Sequence, residues 1–121
     1  MPKDSYVDAF ARDWIDSWNQ HDLDRILTHY TDNVEFFSPK IIKIWGDPSG
    51  QIVGKLTLRD YFARGLALQP GLKFQLVQVF VGINTVTLLY VNAAQISVAE
   101  TMELDETGEA RRVTVCYQNE E

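Results

Sequence analysis

Apolar side chains recur every three or four residues along the first half of the chain, the spacing that places them on one face of a helix. This pattern predicts a first helix over residues 5–19 and a third over residues 55–68. Between them, Asp22 suits the N-cap of a second helix whose apolar stripe runs from Leu23 to Tyr30. The connection between the first two helices is so short that we expect a helical hairpin.

Two shorter apolar runs lie between the second and third helices. Residues 34–38 predict a strand that ends at Pro39, and the run Ile41–Trp45 predicts a second short strand. The segment 46–50 is typical of a turn, and residues 50–56 are typical of a turn that leads into a helix. The glycine spacing of this last segment does not match that of a phosphate-binding loop.

Alternating apolar and polar positions in the second half predict four strands, over residues 73–81, 86–92, 96–104 and 112–118. The loops between them are short, so consecutive strands are expected to pair antiparallel. The chain of 121 residues fits a single α+β domain over residues 1–121. We expect its helices to lie over a curved sheet and to enclose one mainly apolar pocket.

Both faces of the predicted sheet carry apolar side chains. In the strand over residues 86–92, Leu88 and Tyr90 lie on one face while Leu89 and Val91 lie on the other. Three helices cover only one face, so a second copy of the chain is the simplest cover for the other. We therefore expect a homodimer through the sheet face. The alternative is that β-branched residues merely suit an exposed sheet.

The chain is acidic, with 11 basic and 17 acidic residues and a formal net charge of −6. That sign argues against nucleic acid and anionic membranes as partners. No apolar run reaches the ~20 residues of a membrane span, and residues 1–4 lack the apolar run of a signal peptide. A single cysteine forms no internal disulfide, which suits a reducing compartment, and a cytoplasmic location is expected.

The sequence carries no pattern typical of a metal or cofactor site. His21, His29 and Cys116 lack ligand spacing, so neither a metal nor a cofactor is expected. His29 is predicted on the polar face of the second helix, as a surface histidine. Cys116 is predicted to be an ordinary strand residue rather than a nucleophile.

Glu100 interrupts an apolar row. In the strand over residues 96–104, the even positions are predicted to face the core, and Glu100 stands among isoleucine, valine, methionine and leucine. A buried carboxyl is costly unless it is paired or protonated, and burial raises its pKa. Such a group often marks a functional site. The alternative is a structural bond to an aromatic side chain or to Arg111 or Arg112.

Aromatic and small side chains from helices and strands are candidates for the wall of the pocket, with Glu100 as its polar anchor. For most of them the alternative is an ordinary core position. The candidates are Trp14, Trp18, Tyr30, Ser38, Tyr61, Tyr90, Met102 and Tyr117.

Five short segments, spread over nearly the whole chain, carry a family resemblance. They are residues 18–24, residues 30–36, Ser38-Pro39, Gly54-Lys55 and residues 102–108. These segments resemble the nuclear transport factor 2-like superfamily, and most of all its SnoaL-like group. The resemblance implies a cone-shaped α+β fold, in which three N-terminal helices pack on a curved, mainly antiparallel mixed sheet around an internal pocket. It also implies a dimer.

That superfamily includes steroid isomerases, polyketide cyclases, epoxide hydrolases, dehydratases and non-catalytic domains, so the fold alone selects no function. The isomerase base is an aspartate before the proline that follows the first strand, a position that Ser38 holds here. The position of its oxyanion tyrosine corresponds to Trp14, and that of its second oxyanion donor to Glu100. The resemblance therefore implies that Glu100 alone keeps an acid from that site.

Three hypotheses about function follow. The first is a protein that binds a small, mostly apolar molecule. The second is an isomerase, cyclase or lyase for a ketone- or polyketide-like substrate, with Glu100 as general base or as a protonated donor and Ser38 orienting a water. The third is a protein-interaction module whose interior is filled.

Overall fold

The computed structural model describes residues 4–119. Residues 1–3, on which the signal-peptide expectation partly rests, and residues 120–121 lie outside the described residues. The helices are α1 (Asp4–Asn19), α2 (Leu23–Leu27) and α3 (Lys55–Leu68), and a π-helical turn covers Ile41–Trp45. The strands are β1 (Tyr30–Phe37), β2 (Gln51–Val53), β3 (Gln75–Gly82), β4 (Thr85–Val91), β5 (Ser97–Leu104) and β6 (Ala110–Tyr117).

The strands form one mixed sheet in the order β2-β1-β6-β5-β4-β3. β1 runs parallel to β6, and the other neighbouring pairs are antiparallel. The expected α+β fold with a mainly antiparallel mixed sheet is therefore confirmed. The register places Phe37 opposite Thr114, and the next residue of β6, Val115, pairs with Glu100 of β5. The end of β1 consequently lies close to Glu100.

The helices cover one face of the sheet, and alternate strand residues are buried on that face, as a period of two requires. In β4 and β5 these residues are Val86, Leu88, Tyr90, Val98, Glu100 and Met102. Trp14 of α1 is fully buried above them, with its ring 5.4 Å from that of Tyr90 and 5.9 Å from that of Phe74. This aromatic packing fixes α1 on the sheet.

The helical hairpin of α1 and α2 is also held by hydrogen bonds. The Asn19 side chain donates to the Phe74 carbonyl oxygen at 2.9 Å and accepts from the Phe74 backbone N–H at 2.6 Å. His21 Nε2 lies 2.9 Å from the Leu72 carbonyl oxygen. Asp22 caps α2 as expected, because its side chain accepts from the Arg25 backbone N–H at 3.2 Å. These bonds fasten the residues before β3 to the hairpin.

Two elements between α2 and α3 correct the sequence expectations. Ile41–Trp45 forms a π-helical turn rather than a strand, and it ends at Gly46 with a φ of 81°. Gln51–Val53 forms β2, paired with β1, where we expected a turn. A short apolar run does not distinguish a strand from a helical turn. Strand β2 forms because it pairs with β1, and the sequence of residues 51–53 alone does not indicate that pairing.

His29 is a further correction, because it is buried rather than at the surface, with 7% of its area exposed. Its Nε2 lies 2.8 Å from Asp13 Oδ2, and its Nδ1 lies 3.1 Å from the Ile26 carbonyl oxygen. α2 ends at Leu27, so a helical period no longer determines which way His29 faces. The ring turns toward α1 and packs edge-on against Phe10.

The sheet face away from the helices is partly open. Phe80 of β3 is 53% exposed there, beside the half-exposed pair of Thr87 and Thr101. Cys116 is an exposed strand residue with a free thiol. No helix within residues 4–119 has the length and apolarity needed to cross a membrane.

Candidate ligand-binding site

A cavity of about 80 Å³ lies between α3, the end of α1 and the helix-covered face of the sheet. One water needs only ~10–15 Å³ by the same measure, so the space suits a small organic molecule. Much of the wall is aromatic or aliphatic and includes Trp18, Phe36, Phe62, Phe74, Val98 and Val115. The polar side of the wall includes Ser38, Lys40, Tyr61, Tyr90, Glu100 and Tyr117. The interior of the described residues therefore contains a void bordered by both apolar and polar side chains.

Glu100 lines the cavity from the middle of β5 and is only 4% exposed. Its cross-strand neighbours are Leu88 and Val115, both buried and apolar. Burial among these residues raises the pKa of Glu100 to about 8, although a hydrogen bond from Tyr90 acts in the opposite direction. The carboxyl is therefore mostly protonated at neutral pH.

The two oxygens of the Glu100 carboxyl differ in their surroundings. Oε1 accepts a hydrogen bond from the Tyr90 hydroxyl at 2.9 Å. Oε2 makes no hydrogen bond with any residue in the range 4–119. Because Oε1 is already an acceptor, the proton of the neutral carboxyl belongs on Oε2, where it is available to a molecule in the cavity.

Four tyrosines surround this carboxyl. Burial first, and then the charge of Glu100, raises the pKa of Tyr30, Tyr61, Tyr90 and Tyr117. The pKa of Tyr61 rises to about 12, although the nearby Ser38 hydroxyl partly offsets the effect of burial. All four phenols therefore stay neutral near pH 7 and are able to donate hydrogen bonds.

Ser38 and Lys40 occupy the segment that follows β1. The Ser38 backbone N–H donates to the Gly50 carbonyl oxygen at 3.0 Å, and its hydroxyl accepts from the Lys40 backbone N–H at 3.3 Å. The Lys40 ammonium lies 5.0 Å from the centre of the Tyr117 ring. Burial, and then the nearby charge of Lys43, lowers the pKa of Lys40. Lys40 and Tyr117 are partly exposed and mark the mouth of the cavity, together with Gln69.

The structure brings six of the nine sequence candidates to the cavity wall: Trp18, Ser38, Tyr61, Tyr90, Glu100 and Tyr117. It places the other three, Trp14, Tyr30 and Met102, in the packed layer behind that wall, where each is fully buried. The Trp14 indole N–H donates to the Tyr30 hydroxyl at 3.1 Å, so the Trp14 donor is used within this layer and not at the cavity. Helical and strand periods indicate which side chains are buried, but not which buried side chains border a void.

Trp18 Nε1 is buried without a hydrogen-bond partner among the described residues. It lies near the Tyr30 hydroxyl, and this proximity lowers the pKa of Tyr30. Burial and the charge of Glu100 act in the opposite direction and raise that pKa. The contact does not have hydrogen-bond geometry, whereas the Trp14 N–H to Tyr30 does. The hydrogen bond to the Tyr30 hydroxyl is therefore made by Trp14.

Sequence reasoning missed Lys40 and Phe74 as wall residues. A lysine after a strand is most often a solvated residue. Phe74 was expected within the strand over residues 73–81, whereas β3 begins at Gln75, and a strand pattern does not show which side chains border a void. One signal was present for Lys40, since it follows directly on Ser38-Pro39, a segment already singled out. Within residues 4–119, no group of histidine, cysteine and acidic side chains is arranged to hold a metal ion.

Comparison with known proteins identifies relatives of the chain. The sequence model of the SnoaL-like domain matches residues 11–117. A SnoaL-like protein of unknown function from Burkholderia thailandensis E264 is 32% identical, with a TM-score of 0.92 and coverage of 97% of this chain and 98% of that one. No curated protein matches the sequence significantly.

More distant structures share the fold. A protein of unknown function with a cystatin-like fold from Methylobium petroleophilum PM1 is 14% identical, with a TM-score of 0.76 and coverage of 98% of this chain and 80% of that one. SalBIII, an epoxide hydrolase/cyclase-like enzyme in pyran ring formation in salinomycin, is 13% identical, with a TM-score of 0.75 and coverage of 98% and 95%.

Proposed function

The chain belongs to the SnoaL-like domain family, and we propose that it binds a small, mostly apolar molecule through one hydrogen-bond acceptor, such as a ketone carbonyl. The observation that carries this proposal is the Glu100 carboxyl at the cavity wall, which is 4% exposed. Its Oε1 is bonded to Tyr90, and its Oε2 has no hydrogen-bond partner within residues 4–119. A neutral carboxyl in an apolar pocket is a strong hydrogen-bond donor. The aromatic wall provides the apolar contact area.

A matched pair of probes tests the proposal. Acetophenone carries a carbonyl acceptor, whereas ethylbenzene has a similar size and none. In calorimetric titrations at pH 6, we expect acetophenone to bind the wild type about tenfold more tightly, because one buried hydrogen bond contributes this much. The preference should fall as the pH rises through about 8 and Glu100 loses its proton.

Substitutions at Glu100 sharpen the same test. Glu100→Gln keeps a neutral donor, so its preference for the ketone should persist and become independent of pH. Glu100→Leu removes the donor and should abolish the preference while ethylbenzene still binds. Glu103→Gln, on the same strand but half-exposed and paired with Arg111, is the control. Equal affinity for both probes in the wild type contradicts the role of Glu100 as the anchor, and no binding of either contradicts the proposal.

A second candidate function is an isomerase, cyclase or lyase, and the pKa of Glu100 near neutrality favours it. A general acid or base works best when its pKa lies close to the operating pH. The position that holds the aspartate base in steroid isomerases carries Ser38, and Trp14 donates to Tyr30 instead of to the cavity. Such chemistry would therefore depend on Glu100 alone. Loss of turnover in Glu100→Gln, with binding retained, would favour this function over simple binding.

The cellular location is also part of the proposal. We place the protein in the cytoplasm, since an exposed free thiol such as that of Cys116 suits a reducing compartment. Immunoblots of fractionated cells that detected the protein outside the cytoplasm would contradict this location.

A further inference from the structure

Three cations gather beside the mouth of the cavity. Lys40 lines the cavity, Lys43 lies on the π-helical turn, and Arg64 of α3 donates to the Ile44 carbonyl oxygen at 3.2 Å. Ile44 itself lines the cavity. None of the three cations forms an ion pair with a carboxylate of residues 4–119, although the chain has a net charge of −6. This edge of an acidic protein is therefore locally positive.

The Lys40 ammonium is the cation that reaches the cavity. It is half-buried and lies over the face of the Tyr117 ring, 5.0 Å from the centre. A cation partly removed from water costs free energy, and a single ring contact offsets only part of that cost. The nearby charge of Lys43 adds to the cost and, after burial, lowers the pKa of Lys40. An anion at the mouth would offset both the loss of water around the Lys40 ammonium and its repulsion by Lys43.

The cavity itself offers no such anion. Glu100 is the buried acid of the wall, and it is mostly protonated at neutral pH because burial raises its pKa to about 8. Its neutral carboxyl does not serve as the counter-ion of Lys40. The cavity thus presents a neutral donor at the floor and, at the mouth, a cation without an ion-pair partner among residues 4–119, with apolar surface between them.

We propose that the ligand is an amphipathic carboxylic acid, whose apolar body fills the cavity and whose carboxylate pairs with Lys40 at the mouth. This inference rests on the proposed function and adds the chemical class of the ligand. A single ammonium suits a singly charged carboxylate, whereas proteins usually hold phosphate with arginine forks or rows of backbone N–H groups. The acceptor that Glu100 recognises then lies at the opposite end of the molecule.

The test uses carboxylates and their primary amides, which have the same shape without the charge. The probes are 3-phenylpropanoate, octanoate and 1-naphthoate, each with its amide, titrated calorimetrically at pH 7. In the wild type we expect at least one carboxylate to bind about tenfold or more tightly than its amide, as a charge-assisted hydrogen bond provides. Lys40→Gln should bring the pair to nearly equal affinity, and Lys40→Arg should keep the preference.

Lys43→Gln is the matched control, because it removes an equal charge from an exposed residue outside the cavity wall. It should leave most of the preference in place. Equal binding of carboxylate and amide by the wild type overturns the inference and leaves the proposed function standing. A preference that survives Lys40→Gln also overturns it. If no probe of either kind binds, the inference fails, and the titrations with acetophenone and ethylbenzene decide separately whether the proposed function stands.

Discussion

At Glu100, burial and one hydrogen bond act on the carboxyl in opposite directions. Burial raises its pKa to about 8, while the Tyr90 hydroxyl at 2.9 Å partly stabilises the charged form. In the unfolded chain the same carboxyl ionises near its ordinary pKa of 4.5. The folded protein therefore binds this proton more tightly than the unfolded chain does, and that difference couples stability to pH.

The stability of the wild type should consequently fall between about pH 4.5 and about pH 8. Below this window both states hold the proton, and above it neither does, so the contribution changes only within the window. The upper limit of this change in the free energy of unfolding is on the order of 5 kcal/mol, since each unit of pKa difference corresponds to about 1.4 kcal/mol. In urea unfolding at a series of pH values, Glu100→Gln should lack this decline.

Glu103→Gln is the control for that series, because Glu103 is half-exposed and paired with Arg111 at 3.0 Å. It should follow the wild-type profile within the window. If Glu100→Gln and the wild type lose stability in parallel, the carboxyl of Glu100 is not held neutral by burial, and the donor role that we propose for it fails as well.

At the scale of the elements, Asp13 joins α1 to α2 through Arg25 and to the residue before β1, His29. Its Oδ1 accepts from Arg25 Nε at 3.0 Å, and its Oδ2 lies 2.8 Å from His29 Nε2. The Arg25 hydrogen bond is the main cause that lowers the pKa of Asp13. Both nitrogens of the buried His29 ring face oxygen atoms, so Asp13 and the Ile26 carbonyl together orient the ring.

Asp13→Asn should lower the free energy of unfolding by about 1 kcal/mol, because it weakens the bonds to Arg25 and His29 at a site that is 43% exposed and screened by water. Chemical denaturation at pH 6 and in low salt measures this loss, and added salt should reduce it. Asp8→Asn, on the exposed face of α1 and without an ion pair among residues 4–119, should have almost no effect. Equal effects of the two variants would contradict a specific role for Asp13.

The long elements were predictable from sequence because their periods are local. α3 coincides with the predicted residues 55–68, and the four predicted strands match β3 to β6 within two residues at each end. The parallel pairing of β1 with β6 joins residues far apart in sequence, so no local pattern contained it.

The candidate site was likewise predictable only where a local pattern indicated it. Glu100 stood out by its position in an apolar row, whereas the only sequence signal for Lys40 was its place after Ser38-Pro39, and its position at the cavity depends on contacts distant in sequence.

At the scale of the whole molecule, the two faces of the sheet differ in what covers them. The helices and the cavity lie on one face, and the other carries Phe80, 53% exposed, with the half-exposed Leu89 and Val91 of β4. The Thr87 and Thr101 hydroxyls pair across that face at 2.9 Å, so part of its polar surface is already satisfied. We propose that a second copy of the chain covers it, since an open apolar sheet face is unfavourable in water.

Sedimentation equilibrium tests this homodimer directly. The wild type should sediment as a dimer, and Phe80→Glu should shift it to the monomer, because the interface would bury two carboxylates without partners. Leu56→Glu introduces the same charge at a residue that is 84% exposed on the N-terminal turn of α3, which packs on the opposite face of the sheet, and should leave the dimer intact. A monomeric wild type would mean that the β-branched residues of this face merely suit an exposed sheet.

Because the cavity lies on the helix-covered face, the monomeric variant should still bind the ketone probe, which separates the two surfaces experimentally.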